Sequence, residues 1–199
     1  MAKLIYGVGI NDSAEVLSPS IGGVQTKCKI YVTWYDMLRR CYSNSYQEKY
    51  PKYRGCTVDP SWFKFSAFKK WAIETRKADN LQLDKDLLVT GNKIYSPNTC
   101  CWISQELNKF LTFNQSGKSN NLPAGVTYKG NKLQATCNNP FTKKLEHLGY
   151  YTSVKEAHLA WLSRKSEIAK LYAEKELDAR VKAALLIKFK NADLTHMDE

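Results

Sequence analysis

GVTYKGNKLQATCNNPFTKKLEHLGYYTSVKEAHLAWLSRKSEIAKLY, residues 125–172, is the stretch whose reading decides the fold. Its first half holds short β-type runs: Val126 and Tyr128; Leu133, Ala135 and Cys137; Leu145, Leu148 and Tyr150. Gly130-Asn131 and Asn139-Pro140 punctuate them, which predicts a three-stranded antiparallel meander. The period then changes. Val154, Ala157, Trp161, Ile168 and Leu171 recur at helical spacing, as the apolar face of one helix does. Thr152 or Ser153 can cap that helix, with Lys155 and Glu156 in its first turn. A small sheet backed by one helix leaves its other face free, and here that face is expected to be polar and basic.

The charge pattern suggests a use for such a face. Between residues 121 and 170, Lys129, Lys132, Lys143, Lys144, Lys155, Arg164, Lys165 and Lys170 stand against Glu146, Glu156 and Glu167. The strand lysines are interleaved with Tyr128, Gln134, Thr136 and Asn138. A β-ribbon can enter the DNA major groove, where long basic chains neutralise phosphates and Gln, Asn or Thr meet base edges. The competing reading is that the lysines merely solvate a small sheet.

These residues carry a resemblance. Gly125-Val-Thr-Tyr-Lys-Gly, Lys132-Leu-Gln-Ala, Leu148-Gly-Tyr-Tyr-Thr and Glu156-Ala-His-Leu-Ala-Trp-Leu-Ser-Arg-Lys resemble the AP2 DNA-binding domain: a "GV" first strand, a basic second strand, a third strand ending in Leu-Gly and two aromatics, and a helix beginning "EAA". The resemblance implies a three-stranded sheet laid on duplex DNA, with Tyr128, Lys129, Lys132, Gln134, Thr136, Lys143 and Lys144 as the contacting residues. Trp161 stands where the family has Tyr, and the strands carry few arginines.

The bulk composition agrees with a nucleic-acid partner. The chain has 199 residues, 43% hydrophobic and 25% charged, which is a globular balance with room for one domain or two small ones. A formal net charge of +11 favours a polyanion, with nucleic acid ahead of a membrane surface. No apolar run approaches the roughly 18–20 residues that span a bilayer, and MAKLIYGVGINDSAE has no signal-peptide core. A cytoplasmic location is therefore expected, in the host cytoplasm if the gene belongs to a phage. In that reducing compartment Cys28, Cys41, Cys56, Cys100, Cys101 and Cys137 are expected as free thiols. A zinc site of Cys41, Cys56 and Cys100 or Cys101 is weighed against burial as small hydrophobes, and burial is the expectation.

Upstream, residues 1–28 read as an irregular lead-in with one short strand. Ile30, Trp34, Met37, Leu38 and Cys41 then mark one helical face, with Arg39 and Arg40 beside it. Cys56-Thr-Val58 reads as a strand and Asp59-Pro60-Ser61 as a helix start. Trp62, Phe65, Phe68 and Ala72, with Trp71, form a second apolar face, read as core in preference to a base-stacking platform. A hairpin is expected next, with a strand from Leu83 to Val89, a Gly91-Asn92 turn and a return through Ile94-Tyr95. A helix follows, beginning near Pro97 or within residues 102–108.

A second resemblance rests on this half. Trp34-x-x-Met37-Leu-Arg39-x-Cys41-Tyr42, Tyr53-Arg-Gly55-Cys-x-Val58, Trp62-x-x-Phe65-x-x-Phe68, Leu83-Asp84-Lys85-Asp86, Tyr95-Ser-Pro97 and Cys100-x-Trp102, then Asn108, resemble phage and mobile-element HNH endonucleases, many of which carry an AP2 domain. The resemblance implies metal-dependent phosphodiester hydrolysis, with Mg²⁺ or Mn²⁺ held by Asp84 and Asn108, and a homing role at the gene's own locus. Lys85 stands where the family has its base histidine. Thr99, with Asn98 before it, stands where the family has the bracing asparagine. A lysine acts as a base only when burial or a like charge draws off its proton, and Asp84 and Asp86 on either side act the other way.

The expected fold is thus α+β: an HNH-like ββα hairpin-helix module with its lead-in (1–111), a linker (112–121, TFNQSGKSNN), an AP2-like sheet on a helix (122–176), and a C-terminal helix and tail (177–199). Along residues 174–190 the helical pattern continues through Leu177, Val181, Ala184 and Leu185. That helix packs back on its own domain or pairs with a second copy in a homodimer. His147 on the third strand and His158 on the helix are read as structural or phosphate-facing. Two functions compete: a nuclease with a divergent base, and a nuclease-derived protein that only binds duplex DNA. A protein-binding module directed at a host factor is a third, with nothing in the residues to favour it.

Overall fold

The computed structural model describes residues 4–15, 17, 20–21, 24–25, 27–112 and 122–190, so the expected linker beyond Thr112 and the polar tail lie outside the described residues. The chain divides into two compact units, Met1–Gln105 and Glu106–Glu199. Both mix helices with small sheets, so the architecture is α+β. No helix among the described residues is long and apolar enough to cross a membrane.

In the first unit, β1 (Ser20–Ile21) and β2 (Val24–Gln25) pair ahead of α1 (Lys29–Tyr42), α2 (Asn44–Lys49), β3 (Thr57–Val58), α3 (Phe65–Thr75), β4 (Gln82–Asp84), β5 (Ile94–Tyr95) and β6 (Cys101–Ile103). Trp34, Met37, Leu38 and Cys41 are the buried stripe of α1. They pack against Trp62, Phe65, Phe68 and Ala72, so the aromatic row is core. Polar ends inside this core find partners. Trp34 Nε1 donates to the Trp62 carbonyl at 2.7 Å, and Trp102 Nε1 donates to Thr75 Oγ1 at 3.0 Å.

The hairpin differs from its sequence reading. The strand stops at Asp84 instead of running to Val89, because Asp84 Oδ1 accepts the backbone N–H groups of Asp86 (2.9 Å) and Leu87 (2.7 Å) and turns the chain out of the ladder. β4 then pairs antiparallel with β6, Leu83 opposite Trp102, while β5 pairs parallel with β3. Ile94-Tyr95 therefore does not return beside Leu83. Tyr95, 2% exposed, belongs with Val58 in the core, and that burial selects the pairing.

The second unit holds α4 (Gln105–Leu111), β7 (Val126–Lys129), β8 (Lys132–Asn139), β9 (Lys144–Tyr151), α5 (Val154–Lys175) and α6 (Ala179–Ile187). The three strands form an antiparallel meander in the order β7-β8-β9. Val126, Leu133 and Ala135 pack with Ala157 of α5 to make the core between sheet and helix. Gly125 permits this packing: its φ is +82°, and a Cβ there would lie 2.0 Å from Trp161 Cδ1. Ser153 caps α5 by accepting the Glu156 N–H at 3.4 Å.

Two boundaries differ from expectation. α4 lies in the second unit, where Phe110 meets Tyr172 and Phe189 at ring-centroid distances of 5.2 and 5.6 Å. The helical pattern across residues 174–190 is broken at Glu176, and Asp178 caps a separate α6 by accepting the Arg180 N–H at 2.9 Å. Leu177 falls in the break and is 85% exposed, whereas Val181, Ala184 and Leu185 are buried.

Candidate nucleic-acid interface

Strand register assigns every meander residue to a face, because directly opposed residues point the same way. Val126–Ala135 and Tyr128–Leu133 face the helix. Thr127–Gln134 and Lys129–Lys132 face outward. Across β8 and β9 the outward pairs are Gln134–Tyr150, Thr136–His147 and Asn138–Leu145.

Tyr150 and His147 share this face although they are three positions apart, which in a regular strand would put them on opposite sides. A bulge between Ala135 and Thr136 supplies the missing step: Gly149 opposes Ala135, His147 opposes Thr136, and Leu148 is the extra residue. The side chains agree. Gln134 Nε2 lies 3.0 Å from His147 Nδ1, and the His147 and Tyr150 rings are 4.7 Å apart.

The four strand lysines do not share a face. Lys129 and Lys132 stand opposite each other on the outer face, beside the Gly130-Asn131 turn. Lys144 opposes Asn139 and so lies on the helix-facing register, and Lys143 occupies the turn at φ +56°. Tyr128 is exposed but on the helix-facing register. Gln134 and Thr136 lie on the outer face as expected. Tyr150 and Thr127 join this face without being among the expected contacts, as does His147; the Leu-Gly-Tyr-Tyr end of β9, where glycine marks an irregular strand, is the signal for Tyr150.

The acidic group of β9 is turned away. Glu146 opposes Cys137 on the helix side, accepts from Asn139 Nδ2 (2.7 Å) and Arg164 Nε (2.6 Å), and these donors hold its carboxyl below its ordinary range. The outer face of the three strands therefore carries Thr127, Lys129, Lys132, Gln134, Thr136, Asn138, Leu145, His147 and Tyr150, with no carboxylate among them. His158 is buried behind the sheet. It bonds the Ala124 carbonyl at 2.9 Å, and burial lowers its affinity for a second proton, so it is structural.

The residues matched to a hydrolytic site are placed differently. Lys85 is 7% exposed; its Nζ donates to the Asp86 carboxylate and, at 2.8 Å, to the Asn92 carbonyl. Asn92 answers by donating Nδ2 to the Lys85 and Ile94 carbonyls, both at 2.7 Å. Thr99 Oγ1 adds a bond to the Ile94 carbonyl at 2.7 Å, so Thr99 does brace this loop, but Asn92, read from sequence only as a turn residue, braces it more fully. Asn98 is exposed. Asn108, on α4, belongs to the second unit and Asp84 to the first.

The donor set around the hairpin fits a divalent cation poorly. The carboxylate of Asp86 is held by an ammonium, and the adjoining cavity of about 200 Å³ is lined by three lysines, Lys52, Lys85 and Lys93, against Asp86 alone. Among the described residues no three His, Cys, Asp or Glu side chains are grouped to share a metal ion. Cys41, Cys56 and Cys100 lie in the apolar core, and burial pushes the Cys41 and Cys100 thiols up to about 12.

Set against known proteins, the chain matches no family model, no curated protein and no solved structure.

Proposed function

We propose that this chain binds duplex DNA through the outer face of the β7-β8-β9 sheet and does not hydrolyse it. The observation that carries the reading is the composition of that face: two lysines at one end and hydrogen-bonding side chains along its length, with the one acidic strand residue turned inward. Lys129 and Lys132 supply phosphate contacts at the β7–β8 turn. Gln134, Thr136, His147 and Asn138 offer donors and acceptors to base edges, and Tyr150 offers a flat apolar surface to a thymine methyl or a sugar. The net charge of +11 adds non-specific attraction.

Binding without hydrolysis is supported by the setting of Lys85. A general base must present a lone pair to water. The Lys85 nitrogen instead donates in two directions across the hairpin and ties Asp86 to the Asn92 loop, the part of a structural strut.

Fluorescence anisotropy of the full chain on labelled duplexes tests the binding half. Affinity is expected to fall as salt rises, and Lys129→Ala with Lys132→Ala is expected to reduce the slope of log K against log salt by about 2. Binding that ignores salt, or survives the double substitution unchanged, refutes it. Plasmid nicking with Mg²⁺ or Mn²⁺ tests the other half. Nicking by the wild type that disappears in Asp84→Ala and in Asn108→Ala would establish a metal-dependent nuclease instead.

A further inference from the structure

Two lysines that sequence patterning assigned to DNA leave the outer face, Lys144 on the helix-facing register and Lys143 in the β8–β9 turn, and they meet two more. Lys143 and Lys144 at the β8–β9 turn, Lys109 on α4 and Lys165 on α5 line one concave space of about 580 Å³ within the second unit. This is the size range of small-molecule sites. Its wall also includes the buried rings of Phe110 and Trp161. Lys165 is 5% exposed, yet it reaches this space; its Nζ donates to the Phe110 carbonyl and stands 3.4 Å from the centre of the Phe110 ring.

Four lysines line one hollow against the single carboxylate of Glu106, a balance that biases its potential toward positive. An anion entering it meets this positive bias, and a partly desolvated ammonium attracts it more strongly than a surface lysine can. The apolar rings give the same hollow a surface that bare inorganic phosphate would leave unused. We propose that this pocket binds a nucleotide-sized phosphorylated ligand, its phosphates among Lys109, Lys143, Lys144 and Lys165 and its ring toward Phe110 and Trp161. Burial draws Lys165 down to about 8, so the group is poised to gain from a nearby negative charge. The pocket does not depend on the DNA-binding reading, because none of its four lysines lies on the outer face.

Isothermal titration calorimetry of the full chain with ADP and with inorganic pyrophosphate tests the proposal. ADP is expected to bind, and more tightly than pyrophosphate. Lys165→Met is expected to weaken ADP about tenfold or more, the loss of a charge-assisted contact, and Lys144→Ala by a smaller factor. Lys129→Ala with Lys132→Ala is expected to leave ADP binding unchanged. Lys144 is solvent-exposed, so its substitution keeps the test valid should the Lys165 variant misfold. No heat with either probe, equal affinity for both, or wild-type affinity in both pocket variants would overturn the proposal. A repeat in saturating duplex separates the sources: retained ADP binding identifies a free nucleotide as the ligand, and competition identifies a nucleotide of the bound nucleic acid.

Discussion

Among the described residues each unit buries one lysine, and the two have different surroundings. Lys85 lies beside a carboxylate and a carbonyl of its own hairpin, and its charge knits a loop together. Lys165 also donates to a carbonyl, that of Phe110, but it stands over aromatic rings and lines a cavity together with three other lysines. The first unit uses its ionic groups to hold shape. The second does so too, through Glu146–Arg164 and Asp178–Arg180, and in addition presents lysines at a polar sheet face and around a pocket. Burial of a charge alone therefore says little about role; what surrounds it decides.

The contrast can be broken most forcefully by removing one unit and keeping the other. Gly125→Ala forces a left-handed residue and drives a methyl into Trp161, and is expected to destabilise the second unit by about 2–5 kcal/mol. Near-UV circular dichroism checks it. The first unit's Trp34, Trp62, Trp71 and Trp102 should keep their signal, and a loss of all tertiary signal would show that the units fold as one.

Next in size, Lys85→Met orphans the Asn92 carbonyl and releases Asp86. Denaturant unfolding is expected to show a loss of about 1–3 kcal/mol, discounted toward the lower end because Asp86 is exposed. An unchanged midpoint would mean the strut holds nothing.

Lys165→Met should cost less at neutral pH, since removal of a desolvated charge offsets loss of the Nζ bond to the Phe110 carbonyl. The pH dependence carries the sign. Lys165 titrates at about 8 in the fold and at ~10.4 in the unfolded chain, so between those values the unfolded state holds the extra proton and stability rises with pH. The buried thiols of Cys41 and Cys100, and Cys137 near Lys165, titrate higher in the fold than when unfolded and oppose this rise. The readout is accordingly the difference between wild type and variant from pH 7.5 to 10, and a flat difference would contradict the burial argument. The smallest effect on stability is expected from Lys129→Ala with Lys132→Ala, within about 0.5 kcal/mol, even as duplex affinity falls.

Much of the second unit was legible in the chain, because its signals are local. Gly130-Asn131 and Asn139-Pro140 mark the turns, Leu133, Ala135 and Cys137 alternate, and Ser153 precedes a helical period. The unit's edges were not legible. The Ser- and Asn-rich stretch after Thr112 reads as a boundary, yet Phe110 before it packs on Tyr172 and Phe189, partners some sixty and eighty residues away that no local pattern reveals. The first unit failed in the same way at Ile94-Tyr95, where a parallel pairing with Thr57-Val58 prevailed over the nearer antiparallel one. At the candidate interface, alternation was right for Lys132, Gln134 and Thr136. It failed on β9, because one extra residue changes the phase of everything before it.

That extra residue, Leu148, separates what the outer face presents from the curve on which it presents it. Deleting it would leave His147 and Tyr150 on the same side, since the pairs that flank it are already in phase, while taking out the local twist that a bulge adds and a leucine that packs toward the core. The sheet would carry the same chemical text on a flatter page. Few strands allow shape and wording to be edited apart by a single deletion.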